Sequence, residues 1–262
     1  FIPEVHVNSF SVDENLPLFI AIDPGTQHPS VVISQIKRCS YEKEHYIRLS
    51  EITNLFDKTT HELAYYASGP YKGIIQHLSE FYPSHFDFSA YDQIRSHLLE
   101  RVDEGNPYLD YTILEQHFSK IRFCIDKSAN KRYSTSKDRD TDRSVLLKEF
   151  GIRCKYRNNI GVDLSLNRMR EHFKIVCVCN IPEQLIDKKC ELLIDGYGGG
   201  YRFKKLKDGT HIDAPLQDHR YEDVCDADRY GLENFFFVNP LEGEVGTKRK
   251  LEEPYSWEWM VK

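Results

Sequence analysis

Leu18-Phe19-Ile20-Ala21-Ile22-Asp23-Pro24-Gly25 is a run of apolar residues that ends in one carboxylate and a turn. Such a run bounded by Pro-Gly reads as a buried strand, because both of its faces must meet other elements and Pro24-Gly25 cannot continue the ladder. Asp23 then stands where a core strand runs out. A carboxylate fixed there by a held backbone suits a metal ligand, and the same residue also suits the start of a turn.

Working outward, 29–38 and 45–52 read as two further strands joined by the polar turn Cys39 to Glu44, an antiparallel meander with the first. Ile74, Ile75, Leu78 and Phe81 form a helical stripe within 73–82, stopped by Pro83. A second helix is expected over 89–102. Ile121-Arg-Phe-Cys-Ile-Asp126 is another apolar run that ends in a carboxylate, followed by a polar, basic loop over 127–142. Thr141 or Asp142 can cap a helix through Phe150, with Gly151 at its end. Beyond it the pattern predicts a strand over 152–156 and a helix over 161–173 with Leu164, Met169 and Phe173 inward. A short strand over 174–180, a helix over 183–195 opened by Pro182 and broken at Gly196, a hairpin over 201–212 and a last helix over 218–236 complete the reading.

With 262 residues, 29% charged and 40% hydrophobic, the composition is that of a globular chain with a sizeable core. Neither a membrane-length apolar run nor a signal-peptide pattern is present. Cys39, Cys124, Cys154, Cys177, Cys179, Cys190 and Cys225 are scattered and odd in number, which fits reduced core thiols. Cys177 and Cys179 alternate about Val178, but no second cysteine pair accompanies them, and this argues against zinc. Gly198-Gly199-Gly200 lacks a following Lys-Ser/Thr and reads as a turn, not a phosphate loop.

The net charge of -6 hides an asymmetry: residues 120–174 hold 15 Lys/Arg against 7 Asp/Glu, a local +8 that leaves -14 for the rest. Such a basic segment suits phosphate contacts as well as plain solubility. The acids concentrate in Asp218-His-Arg-Tyr-Glu-Asp223-Val-Cys-Asp226-Ala-Asp-Arg-Tyr230. On a helix, His219, Asp223, Asp226 and Tyr230 share one face. Two strands ending at Asp23 and Asp126, together with a late helix bearing Asp223 and Asp226, would gather hard oxygen ligands for Mg²⁺ or Mn²⁺.

In that order, the Asp23 meander, Ile125-Asp126-Lys-Ser-Ala129 and Asp226-Ala-Asp-Arg-Tyr230 resemble the ribonuclease H-like nuclease domain of tailed-phage terminase large subunits. The resemblance extends over Phe150-Gly-Ile152, Asn158-Asn-Ile-Gly161 and the Pro182 segment with Cys190. It implies an α/β fold, a mixed sheet of a three-strand antiparallel meander plus parallel strands flanked by helices. It divides the chain into an arm or linker remnant at 1–15, a nuclease domain at 16–237 and a C-terminal tail at 238–262. The implied activity is metal-dependent endonucleolytic cleavage of concatemeric viral DNA during packaging, by two Mg²⁺ or Mn²⁺ ions held by Asp23, Asp126, Asp223 and Asp226. The family's usual Asp-His pair before Asp-Ala-x-Arg-Tyr is replaced here by Glu222-Asp223, with Asp218-His219 one turn earlier, so Asp223 and Asp226 both enter the ligand set and His219 and Glu222 are expected behind them. Lys127, Lys131, Arg132, Lys137, Arg139 and Arg143 follow the middle carboxylate and are expected on DNA phosphates.

Further implied partners are the ATPase motor domain of the same polypeptide, the portal and the small terminase subunit, in the host cytoplasm at the procapsid, with no membrane role. A chain opening at Phe1 reads as a piece of a longer protein. Two other readings use the same residues. One is a junction resolvase or integrase of the same superfamily; the other is a non-catalytic module that binds DNA or docks to a portal.

Overall fold

A computed structural model describes residues 1–24, 30–53, 69–103, 117–126, 129, 141–156, 161–201, 203–205, 211–215 and 221–237. The expected first strand, Leu18–Asp23, is buried through Ile22, and only Asp23 at its end is partly open. Its alternating side chains serve two cores: Leu18, Ile20 and Ile22 face one, Phe19 and Ala21 the other. A central strand must be apolar on both sides when helices cover both faces of the sheet, which is why this run shows no polar alternation.

In chain order the strands are β1 (Val7–Asn8), β2 (Leu18–Asp23), β3 (Ser30–Arg38), β4 (Glu44–Ile52), β5 (Ile121–Ile125), β6 (Cys154–Lys155) and β7 (Gln184–Asp187), forming one sheet in the order β1-β7-β4-β3-β2-β5-β6. β2, β3 and β4 are the antiparallel meander; β5 joins β2 in parallel and β6 joins β5 in parallel. In that mixed core β2 is the strand shared by the antiparallel meander and the parallel pair. On the far edge β7 runs parallel to β4, and β1 parallel to β7.

One face is covered by α1 (Gly69–Phe81), α2 (Phe88–Asp103) and α3 (Asp142–Phe150), through Tyr71, Ile74, Leu78, Tyr91, Val145 and Leu146. The other is covered by α4 (Val162–Lys174), α5 (Glu191–Asp195) and α6 (Glu222–Gly231). α3 begins as its sequence dictates: Thr141 Oγ1 accepts from Ser144 N at 3.1 Å, Ser144 Oγ accepts from Thr141 N at 2.8 Å, and Gly151 closes the helix at φ 65°. Such caps stabilise a helix by about 1 kcal/mol.

Residues 1–15 lie against the sheet edge. His6 is buried and its Nε2 donates to the Phe173 carbonyl at 2.8 Å, while Phe10 N donates to Asp187 Oδ2 at 2.7 Å. The tail at 238–262 falls outside the described residues.

Three local expectations need correction. The segment 183–195 is not one helix: Gln184–Asp187 is a strand, and only Glu191–Asp195 is helical before a wide turn over Gly196–Gly200. A short run such as Gln184-Leu-Ile-Asp187 has no period of its own, and the open edge of β4 recruits it. The strand expected over 174–180 reduces to an isolated Val176–Pro182 bridge around a turn. In α4 the inward residues are Leu166, Met169 and Phe173, whereas Leu164 is 54% exposed. Leu164 precedes Met169 by five residues, about 140° round a helix of 3.6 residues per turn, so it belongs to another face. The hairpin is present as β8 (Phe203–Lys205) against β9 (His211–Pro215).

Candidate metal centre

Strand register brings the first two carboxylates together. Ile22 of β2 pairs with Ile125 of the parallel β5, so Asp23 and Asp126 are the next residues out of adjacent strands that run the same way. Both are partly exposed at these strand ends. Ala129 N donates to the Asp126 carbonyl at 3.1 Å.

α6 packs across β2, β3 and β5, and its inward face is Val224, Cys225, Ala227, Asp228 and Gly231. Asp223, Asp226 and Tyr230 lie on the less buried side. The Tyr230 phenol lies on that same partly buried side. Burial raises its pKa far above the ordinary value, the carboxylates of Asp23, Asp226 and Asp126 push it the same way, and Arg229 opposes them. A carboxylate raises a phenol in this way when it lies in its neighbourhood.

Asp226 is positioned from one side. Its Oδ1 accepts from the Tyr201 hydroxyl at 2.5 Å and from Arg229 Nε at 3.1 Å, with Arg229 Nη2 also at 3.1 Å. All of these contacts fall on the same oxygen, which leaves Oδ2 for a ligand. Arg229 in turn lies over the Tyr230 ring at 4.6 Å. Hard carboxylate oxygens such as these suit Mg²⁺ or Mn²⁺, but among the described residues those of Asp23, Asp126 and Asp226 do not form a group within 4.8 Å of one another.

Asp223 and Glu222 open α6 and are half-buried, in the first turn where the helix dipole favours acids. His219 lies outside the described residues, as do Lys127, Lys131, Arg132, Lys137 and Arg139. Arg143 is described: it sits in the first turn of α3 with its guanidinium 4.3 Å from the centre of the Tyr156 ring.

The acidic motif itself divides between two environments. Asp226 faces the acid cluster, while Asp228, two residues on, is fully buried and paired with Arg48. Sequence spacing does not single out Asp228, because its partner lies 180 residues away. Nor does it mark Tyr201, which lies 25 residues from Asp226, whereas Tyr230 was already placed on the acids' face by its position one turn after Asp226.

Among the described residues, no helix is long and apolar enough to cross a membrane. No family model and no curated protein matches this chain. Among solved structures, the large terminase of a thermophilic bacteriophage is 15% identical, with a TM-score of 0.47 over 88% of this chain. The chain spans 42% of that protein's length. The nuclease domain of the g2p large terminase of bacteriophage SPP1, solved with bound Mn, is 10% identical with a TM-score of 0.41, over 87% of this chain and 95% of that one.

Proposed function

We propose that this chain is a terminase-type nuclease, a metal-dependent endonuclease that hydrolyses phosphodiester bonds of double-stranded concatemeric viral DNA during genome packaging. The observation that supports the reading is the Ile22–Ile125 register, which sets Asp23 beside Asp126 at neighbouring strand ends, with the helix that carries Asp226 packed across both strands. These three would hold the ions, with Asp223 as a fourth donor from the start of α6. Two such divalent ions, when bound, supply an activated water and stabilise the leaving oxygen.

The chain's own residues set the stage for that chemistry. β2 and β5 present their terminal carboxylates from a rigid core. Tyr201 and Arg229 restrict Asp226 to one orientation. Tyr230 stays a neutral phenol, and so it adds no negative charge to a site that must receive a phosphate. Arg143, with Lys127, Lys131, Arg132, Lys137 and Arg139, would track the duplex backbone without reading sequence. Glu222 and His219 would support the ligands.

On this reading residues 16–237 are the nuclease domain, 1–15 an arm and 238–262 a tail. The partners are double-stranded DNA, an ATPase motor domain of the same polypeptide, a portal and a small terminase subunit, at the procapsid in the host cytoplasm.

The test is nicking of supercoiled plasmid. Nicking that requires Mg²⁺ or Mn²⁺, shows little sequence preference and falls to background in Asp23→Asn and Asp126→Asn is the expected result. Full activity in Asp23→Ala would overturn it, and a strong preference for four-way junctions over linear duplex would reassign the chain to a resolvase.

A further inference from the structure

At the opposite end of the sheet from Asp23, two turns bring together four side chains that the carboxylate site does not use. The turn between β3 and β4 supplies Cys39 and the start of β4 supplies His45; the turn between α4 and β7 supplies Cys177 and Cys179. Cys39 and Cys177 are 138 residues apart in sequence, and His45 and Cys179 are 134 apart. Even so, one ligand atom from each lies within 4.8 Å of every other. The pair missing from a reading of Cys177 and Cys179 alone is thus a cysteine and a histidine from another hairpin.

The distances are those of a tetrahedral ion. Zinc bonds thiolate at about 2.3 Å and imidazole at about 2.0–2.1 Å, so a tetrahedron places sulfurs roughly 3.8 Å apart and sulfur and nitrogen roughly 3.6 Å apart. Here Cys39 Sγ and Cys177 Sγ are separated by 3.6 Å, and Cys179 Sγ and His45 Nε2 by 3.7 Å. A disulfide needs about 2.05 Å between sulfurs, and all of these cysteines are free thiols.

The surroundings are built for ligation. His45 is buried, and its Nδ1 donates to the Pro182 carbonyl at 2.8 Å, which leaves Nε2 as the bare nitrogen that faces the thiols. That is the outer contact by which a protein selects the ligating tautomer of a histidine. The Cys177 sulfur accepts from the backbone N of Cys179 at 3.5 Å. Among the described residues, the two non-glycine positions of positive φ, Glu42 at 57° and Asn180 at 61°, occur one in each turn. Both turns are therefore wound tightly around their ligands.

We infer that Cys39, His45, Cys177 and Cys179 form a closed structural Zn²⁺ site that ties the β3–β4 turn to the segment entering β7. The donor set is soft and four-coordinate, without a position left for water or substrate, so its role is to hold the sheet edge and not to react. It is independent of the carboxylate centre in chemistry and in place.

The experiment uses the whole chain, purified under reducing conditions from zinc-containing medium. Expected are about one zinc per chain by elemental analysis, retained in Asp23→Asn, and a lower melting temperature after chelation that zinc restores. Replacement by Co²⁺ should give the intense visible bands of a tetrahedral ion and a near-ultraviolet thiolate charge-transfer band. Cys39→Ser and Cys179→Ser should each lose most of the zinc. Absence of the cobalt–thiolate bands in the unaltered protein would overturn the assignment even if the variants misfold. A Cys39–Cys177 disulfide found by mass in the freshly isolated chain, or zinc that disappears in Asp23→Asn and persists in Cys39→Ser, would overturn it equally.

Discussion

Arg48 and Asp228 form an ion pair with no exposed side-chain surface on either partner. Arg48 Nε donates to both carboxylate oxygens at 3.0 Å and Nη2 donates to Oδ2 at 2.9 Å, and the Tyr197 hydroxyl donates to the same oxygen. The guanidinium also lies 4.7 Å from the centre of the Tyr46 ring and 5.2 Å from that of Phe173. Burial would lower its pKa, yet Asp228 more than offsets this and the net shift is upward. The pair ties β4 to α6, the helix that carries Asp226.

Removing one partner leaves a buried charge unmatched. Asp228→Ala is expected to cost about 3–5 kcal/mol in urea unfolding, whereas replacing the whole group with apolar residues of similar volume recovers much of that loss. An Asp228→Ala protein as stable as the parent would mean that water reaches Arg48.

Gly231 governs how closely α6 approaches the sheet. A Cβ there would meet the Tyr46 hydroxyl at 2.6 Å and Ala21 Cβ at 3.0 Å, both set in the core. Gly231→Ala gains helix propensity of up to about 1 kcal/mol but loses about 1–3 kcal/mol to overpacking, so the net change is destabilising. Because α6 must shift off β2, nicking activity should fall further than the fraction folded does; activity that simply follows the folded fraction would show that the helix had not moved.

How far the sequence carries depends on the range of the interaction involved. Leu18 to Asp23 and the two strands after it were legible because their apolar runs are bounded by turns, and Thr141 and Gly151 were legible because capping is local. The sequence also suggested that Asp23 and Asp126 stand at strand ends. Their adjacency needed the Ile22–Ile125 register, which no local pattern encodes. Gln184 to Asp187 was misread because a four-residue run takes its conformation from the strand it joins. Asp228, Tyr201 and the Cys39/His45 half of the thiol cluster stayed hidden because each meets a partner far along the chain.

Stability at alkaline pH should be limited by buried phenols and thiols. Burial pushes the Tyr82 phenol from 10.0 up to about 12, partly opposed by its hydrogen bond with Ser50, 2.6 Å away. The folded state then keeps this proton where the unfolded chain has lost it. Stability from this group is full below about pH 10 and declines between 10 and 12, by about 1.4 kcal/mol for each pH unit. Burial raises the Cys154 thiol likewise, from 9.0 to about 12, and it acts in the same direction from pH 9 upward. Tyr82→Phe should lose about 1 kcal/mol at neutral pH with its hydrogen bond and show a visibly shallower alkaline limb. Urea midpoints across that range provide the measurement, and an unchanged slope would show that Tyr82 ionises equally in both states.

Tyr201 offers a test of the ligand role proposed for Asp226, because it separates holding a ligand from being one. Its hydroxyl fixes Asp226 Oδ1, and burial with the nearby Asp226 charge keeps the phenol protonated. Tyr201→Phe preserves the ring and removes only the donor, so the melting temperature should change little while Asp226 gains rotational freedom. Outer contacts of this kind commonly contribute 10- to 100-fold to metal affinity. The expected outcome is therefore a rise of about that size in the Mn²⁺ concentration needed for half-maximal nicking, with the rate at saturating Mn²⁺ largely retained. Asp226→Asn, which alters the ligand itself, should not be rescued by more metal. If Tyr201→Phe leaves the Mn²⁺ dependence unchanged while Asp226→Asn abolishes cleavage, then Arg229 alone orients the carboxylate and the tyrosine serves only to pack the turn after α5.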